Sequence, residues 1–225
     1  MTLERLRGSL VVSCQPVSGG PMDTLEIVVA FARAALIGGA AGLRIEGVAN
    51  VRAVRAVTDA PLIGLVKREI EGEERITPWL EDVEALVAAG ADIVAFDATR
   101  RPRPCPVPDL VRAVRTRGRL AMADCSDPED GRAAREAGAE ILGSTLSGYT
   151  AGEVPEAPDH ALVAALRALT PHVVAEGRYN TPALAAKALE HGAWAVVVGS
   201  AITRAEHVTS WFAEAVRGAV GGGGE

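Results

Sequence analysis

At 225 residues, 48 % of them apolar, the chain has core material for one sizeable α/β domain and little room for an inserted second one. Its formal net charge of −6 argues against a general nucleic-acid binder, although a few aimed donors can still hold a small anion. Three cysteines, Cys14, Cys105 and Cys125, are odd in number and widely spaced, which fits neither a disulfide framework nor a zinc site and points to a reducing cytoplasm.

Met1 to Arg7 shows no signal-peptide pattern, and no apolar run reaches the roughly 18 residues of a membrane span. From there strand and helix alternate. Leu10 to Cys14 reads as a buried strand, Leu25 to Leu36 as a helix stopped by Gly38-Gly39, and Leu43-Arg44-Ile45 as a short strand. A short helix over Asn50 to Val57 precedes a third strand, Pro61 to Lys67. Thr77-Pro78 reads as cap and first-turn proline of a helix that ends at Gly90. Asp92 to Phe96 is a strand, followed by a proline-rich loop and a helix from about Asp109 to Arg117. Leu120 to Ala123 is a strand, Asp127-Pro128-Glu129 opens the next helix, and Glu140 to Gly143 is a strand leading into a long polar loop. A helix from about His160 to Leu169, a strand His172 to Glu176, and a helix opening at Thr181-Pro182 follow. The last strand is Trp194 to Gly199, and the final helix carries Val208, Trp211, Phe212 and Val216.

Short apolar strands without polar alternation suit a parallel sheet covered on both faces. About eight such βα units predict a single-domain TIM (β/α)8 barrel over residues 1–218, with 219–225 as a flexible glycine-rich tail. The rival is an open doubly wound sheet. It would carry a glycine fingerprint after the first strand, where this chain has Cys14-Gln15-Pro16.

Barrel enzymes place their chemistry at the C-terminal ends of the strands. Those ends collect Cys14 and Gln15, Arg44 and Glu46, Lys67 and Arg68, Asp97 and Thr99, Asp124, Ser144 and Thr145, Glu176 and Arg178, and Gly199 and Ser200. Glu176-Gly177-Arg178 and Gly199-Ser200 fall in the last two units, where barrels often hold phosphate on backbone N–H groups, with Ala201 to Arg204 as a short following helix. Lys67 closes an apolar strand. An ammonium in a barrel mouth loses solvation, which favours the neutral base, and the plain alternative is a lysine paired with Asp97 or Glu46. Asp97 and Asp124 either orient the lysine, bind hydroxyls or balance charge, and Cys14 reads as a small residue of the mouth. His160, His172, His191 and His207 form no ligand set, so no metal and no cofactor is expected. Arg100 to Pro104 reads as a solvated rigid loop beside the mouth.

Several runs resemble the N-acetylmannosamine-6-phosphate 2-epimerases of sialic-acid catabolism. They are Val12-Ser13-Cys14-Gln15, Leu43 to Val48, Ile63 to Arg68, Asp97-Ala98-Thr99 with Arg101 to Pro104, Met122-Ala123-Asp124, Ser144 to Thr150, Ala175 to Arg178 and Val198 to Arg204. The resemblance covers nearly the whole chain. It implies an isomerase that interconverts N-acetylmannosamine 6-phosphate and N-acetylglucosamine 6-phosphate by removing and returning the C2 proton. Lys67 and Glu176 would be its catalytic pair, and Gln15, Arg44, Asp124 and Arg204 its substrate contacts. Gly177, Arg178, Gly199 and Ser200 would hold the phosphate.

Two other readings of the residues stand beside it. One is a Schiff-base aldolase or synthase using Lys67 on a phosphorylated substrate, and the other is a non-catalytic sugar-phosphate-binding protein. A metal-dependent pentose-phosphate epimerase wants a histidine and carboxylate cluster that the strand ends do not supply. Trp211 and Phe212 are adjacent, so one can close the barrel while the other faces outward. With the family resemblance, that suggests a homodimer built on the final helix.

Overall fold

Eight strands, all parallel to their neighbours, close into one barrel. The computed structural model describes residues 2–150 and 154–221. In chain order the barrel strands are β1 (Ser9–Cys14), β2 (Gly42–Glu46), β3 (Leu62–Leu65), β6 (Ile93–Asp97), β7 (Leu120–Asp124), β8 (Ile141–Gly143), β9 (Val173–Glu176) and β10 (Ala195–Val198). Each pairs with the next in this series, and β10 pairs back onto β1 through Ser9 opposite Ala195. This is the TIM barrel the strand pattern predicts.

The helices fill the crossovers. They are α2 (Leu25–Ile37), α3 (Val48–Arg55), α4 (Leu80–Ala89), α5 (Val107–Thr116), α6 (Pro128–Glu136), α7 (His160–Arg167) and α8 (Pro182–Glu190). A four-residue turn, α9 (Ser200–Thr203), then leads into α10 (Ala205–Gly221), and α1 (Thr2–Arg5) precedes β1. Two of the expected cap-plus-proline starts are present: Asp127 accepts from the Asp130 N–H at 2.9 Å, and Thr181 from the Leu184 N–H at 3.2 Å. Because α10 runs through Gly221, it takes in the first residues assigned to a tail, and 222–225 lie outside the described residues.

Strand alternation sorts the apolar residues into two sets. Val11, Ile63, Leu65, Ile93, Ala95, Met122, Ile141, Val174, Ala195 and Val197 fill the barrel interior. Val12, Cys14, Leu43, Ile45, Val94, Phe96, Leu142 and Val196 face the helices. Leu6, just after α1, stoppers the bottom. A Cβ on Gly42 would lie 2.7 Å from Leu6 Cδ2, so glycine at the start of β2 is what lets the stopper seat. Burying such a leucine contributes roughly 1.5–3 kcal/mol.

The third unit departs from the expected plan. Barrel strand β3 stops at Leu65. The chain then folds into an antiparallel hairpin, β4 (Lys67–Ile70) and β5 (Glu73–Ile76), before α4 begins. Glu71 and Gly72 both have left-handed φ, +54° and +79°, as a two-residue type I′ turn requires. Thr77 is therefore not a helix cap. Helix α4 starts three residues later with Trp79 in the cap position and no side-chain cap bond. Thr77 is instead buried and ties the hairpin to the barrel. Its hydroxyl donates to the Ala95 carbonyl at 2.7 Å and accepts from the Val66 N–H at 3.2 Å, while its own N–H donates to the Val66 carbonyl at 2.7 Å.

Replacing Thr77 by Val keeps the shape and removes the hydroxyl, leaving a buried N–H and carbonyl short of a partner. Denaturant unfolding should show a loss of about 1–3 kcal/mol for Thr77→Val and little change for Thr77→Ser.

Candidate active site

The C-terminal ends of the strands surround a cavity of about 330 Å³. Of the ten residues expected at the site, nine line it: Gln15, Arg44, Lys67, Glu176, Gly177, Arg178, Gly199, Ser200 and Arg204. The tenth, Asp124, lies fully buried beneath its floor.

Arg44, on β2, forms that floor. Its side chain points into the barrel with 1 % of its surface exposed. Nη2 donates to Asp124 Oδ2 at 2.7 Å, and Nη1 lies 3.3 Å from Asp124 Oδ1 and 3.1 Å from Glu176 Oε2. Thr145 Oγ1 donates to Asp124 Oδ1 at 2.6 Å and sits 3.4 Å from Glu176 Oε2. A Cβ on Gly143 would come within 2.8 Å of Asp124 Oδ1 and of Met122 Cε, so glycine at that point of β8 leaves the room this cluster occupies. Burial pushes the Glu176 carboxyl up to about 7, against the opposing pull of Arg44 and with a further push from Asp124. A carboxyl at that value both gives and takes a proton near neutrality.

Lys67 stands on the hairpin, not at the end of a barrel strand. Its Nζ pairs with Glu74 Oε1 at 3.0 Å, a partner on β5, instead of with Asp97 or Glu46. Glu46 accepts from the Lys67 backbone N–H at 3.4 Å, and its carboxyl is shifted upward chiefly by burial. Arg68 turns to the opposite face, where it reaches Asp82 at 2.6 Å and lies over the Trp79 ring. Asp97 also serves a structural neighbourhood. It accepts from Thr99, from Arg101 Nη2 at 2.7 Å and from Arg103 Nη2 at 3.1 Å, and so orders the Arg100 to Pro104 loop.

On the far side, Gly199 and Ser200 open α9. Thr203 Oγ1 donates to the Ser13 carbonyl at 2.7 Å, and Arg204 Nε donates to the Gln15 carbonyl at 2.8 Å, which fixes both loops against each other. Gln15 Nε2 donates to Ser13 Oγ at 2.8 Å. Gly177 and Arg178 follow β9 with left-handed φ of +108° and +64°. The Arg178 guanidinium is largely spent on the loop after β8. Nε donates to the Ala157 carbonyl at 2.8 Å, Nη1 donates to the Ser147 carbonyl at 2.7 Å, and the group lies over the Tyr149 ring. Its side chain thus holds that loop.

Cys14 is not a mouth residue. It faces the helix layer with 1 % exposure, and burial raises its thiol to about 12. The residue of β1 that lines the cavity is Ser13. Leu65, Glu74, Ile76, Leu146, Tyr149, Tyr179, Asn180 and Val197 complete the wall beyond those expected from sequence. Glu74 and Ile76 could have been found only by recognising Glu71-Gly72 as a hairpin turn. Among the described residues, no group of three or more His, Cys, Asp and Glu is arranged to hold a metal ion.

Comparison with known proteins places the chain in a family. The model of the family described as "Putative N-acetylmannosamine-6-phosphate epimerase" matches residues 28–218. A protein of Escherichia coli O9:H4 (strain HS) that carries that name as a 2-epimerase is 58 % identical over 214 residues, 95 % of this chain and 93 % of the relative. One of the same name from Pasteurella multocida (strain Pm70) is 55 % identical over 218 residues, covering 96 % of both. The solved N-acetylmannosamine-6-phosphate 2-epimerase from Clostridium perfringens superposes with a TM-score of 0.91 at 39 % identity, over 95 % of this chain and 96 % of that one. A thiamine phosphate pyrophosphorylase from Pyrococcus furiosus, at 20 % identity and a TM-score of 0.64, shares the fold alone. The chain belongs to the N-acetylmannosamine-6-phosphate epimerase family.

Proposed function

We propose that the protein interconverts N-acetylmannosamine 6-phosphate and N-acetylglucosamine 6-phosphate by proton removal and return at C2, as a step in the catabolism of sialic acid and related amino sugars. The observation that carries this is one cavity with a lysine on its hairpin wall and, on its floor, a half-buried carboxyl raised to about 7 beside a buried guanidinium.

The C2 proton is acidic only when C1 is an aldehyde, so the sugar ring opens first. Ionised Glu176 takes the proton of the C1 hydroxyl and passes it to the ring oxygen as the C1–O5 bond breaks, which leaves the aldehyde and the ionised carboxylate. Lys67, as the neutral amine, then removes the C2 proton, leaving an enediolate-like intermediate whose O1 charge the Arg44 guanidinium can face. The Lys67 ammonium so formed returns that proton to the opposite face of C2 once the intermediate has turned beneath it, which inverts the centre and regenerates the neutral amine. Well-placed acid–base groups of this kind contribute roughly 10²–10⁴-fold each. Asp124 fixes Arg44, and Gln15 and Arg204 contact the sugar. The backbone N–H groups of Gly177, Arg178, Gly199 and Ser200 hold the 6-phosphate. Its binding away from C2 positions the reacting carbon. No metal or other cofactor takes part.

The protein works in the cytoplasm. Supporting this, no helix among the described residues is long and apolar enough to cross a membrane, and its three cysteines are free and buried. It acts as a homodimer through α10. Phe212 on that helix is 70 % exposed and Val216, one turn on, is 65 % exposed, an apolar pair that a second copy would cover.

Proton NMR of N-acetylmannosamine 6-phosphate in D₂O reports product and C2 exchange together. Folded Lys67→Ala should lose C2 exchange by at least about 10²-fold; near-wild-type exchange removes the assignment. Glu176 gives a pH test with a defined sign. For catalysis it must be ionised, so kcat/KM rises with pH through about 7. For stability the sign is opposite. The folded chain keeps this proton after the unfolded chain has lost it, so its contribution is full at low pH and fades as pH rises from about 4.5 to about 7. Unfolding of Glu176→Gln measured across that window should lack this fall. Finally, Phe212→Glu should shift the light-scattering mass toward one 23.3 kDa chain at low micromolar concentration, and a wild type already at that mass contradicts the dimer.

A further inference from the structure

The aliphatic residues of the cavity wall are Val197 on β10 and, around the hairpin, Leu65, Ile76 and Leu146. Lys67 and Ile76 stand directly opposite each other in the β4–β5 ladder, and both line the cavity. Side chains so placed on one face of an antiparallel pair have Cβ atoms about 4.5–5.5 Å apart. Ile76 is 5 % exposed and packs into the barrel's interior cluster with Leu65, which also reaches the cavity. Leu146, from the loop after β8, packs against the same cluster. The apolar surface beside the Lys67 ammonium is therefore Ile76, with Leu65 preceding the hairpin on the same stretch of chain. Gly199 and Ser200 stand apart from it, because β1 and β2 separate β10 from β3 around the barrel.

A base acts on C2 only from within hydrogen-bond reach. The acetamido group is bonded to that same carbon, so it must lie in the sector around Lys67. Its N–H and carbonyl need polar partners, whereas its methyl is best placed on apolar surface. The geometry points to Ile76 as the wall that seats the acyl methyl, and so to a residue that sets the length of N-acyl chain the enzyme accepts. This rests on the C2 chemistry proposed above. Ile76 is backed by the packed barrel interior, which does not retreat to admit extra carbons.

The test compares N-acetyl-, N-propanoyl- and N-butanoylmannosamine 6-phosphate, with epimerisation followed by proton NMR in D₂O. Wild-type kcat/KM should fall at least about tenfold from acetyl to butanoyl, and Ile76→Ala should raise the butanoyl-to-acetyl ratio about tenfold or more. Ile76→Val, one carbon smaller, should move the propanoyl-to-acetyl ratio the same way by a smaller factor, and it serves where the alanine variant does not fold. Folded variants with ratios within about twofold of wild type, or a wild type that takes butanoyl as well as acetyl, overturn the wall and leave the C2 reading standing. A wild type that neither epimerises nor exchanges C2 in any of the three overturns the C2 reading and the wall with it.

Discussion

The buried Arg44 guanidinium is the constraint on which the rest of the mouth depends. A cation with 1 % exposure is tolerable only if its charge is met at close range, and Asp124 meets it through two Nη contacts. That pairing balances one positive charge with one negative. Glu176, 3.1 Å from the same guanidinium, is then a surplus carboxylate in a place of low solvation, and it holds its proton up to about 7. The raised carboxyl thus follows from one negative charge too many beside a single buried guanidinium. Thr145 and Gly143 serve the same cluster, one by bonding Asp124 and the other by leaving it space.

The hairpin divides its labour by face. Strand alternation puts Lys67, Glu74 and Ile76 on the face that lines the cavity. Arg68 and Arg75, paired across the ladder, fall on the other. Arg75 reaches Glu73, which also meets Arg101 of the loop after β6, and Arg68 reaches Asp82 of α4. Thr77 fastens the base of the hairpin to β6. A lysine carried on a two-stranded ribbon would be loose by itself, since isolated hairpins are marginal in water. Here latches on its outer face, together with Thr77 at its base, hold it over the barrel.

The far side of the mouth is built from loop-to-loop bonds. Arg204 and Thr203 fasten the turn after β10 to the carbonyls of Gln15 and Ser13, and Arg178 fastens the turn after β9 to the loop after β8. Charged side chains that look like anion ligands in the sequence are thereby partly structural. In the proposed reading, backbone N–H groups are left as the donors to the phosphate, which suits an anion held by position more than by net charge in a chain of net charge −6.

Much of this was legible in the chain itself. Uninterrupted apolar strands separated by capped helices are compatible only with a sheet covered on both faces, so the barrel and its strand ends could be read off directly. Those ends already named Arg44, Asp124, Glu176 and Ser200, because period-two alternation and the barrel rule fix where a strand's last residues point. Other features were out of reach. Lys-Arg-Glu-Ile and Glu-Glu-Arg-Ile carry too little apolar alternation to announce a hairpin, and Glu-Gly is not a strong type I′ turn pair, so Thr77-Pro78 looked like a helix start. Cys14 and Ser13 are adjacent, and only the register against β2 and β10 decides which faces the mouth. Partners are the final case. That Lys67 meets Glu74, that Arg178 holds a loop, and that Glu176 is left over beside an already neutralised Arg44 are matters of distance between residues remote in sequence. The sequence by itself determined the barrel and most of the groups at its mouth, and the tertiary structure alone decided the hairpin wall, the face of β1 and which charges cancel there, because register and pairing depend on the closing of the barrel.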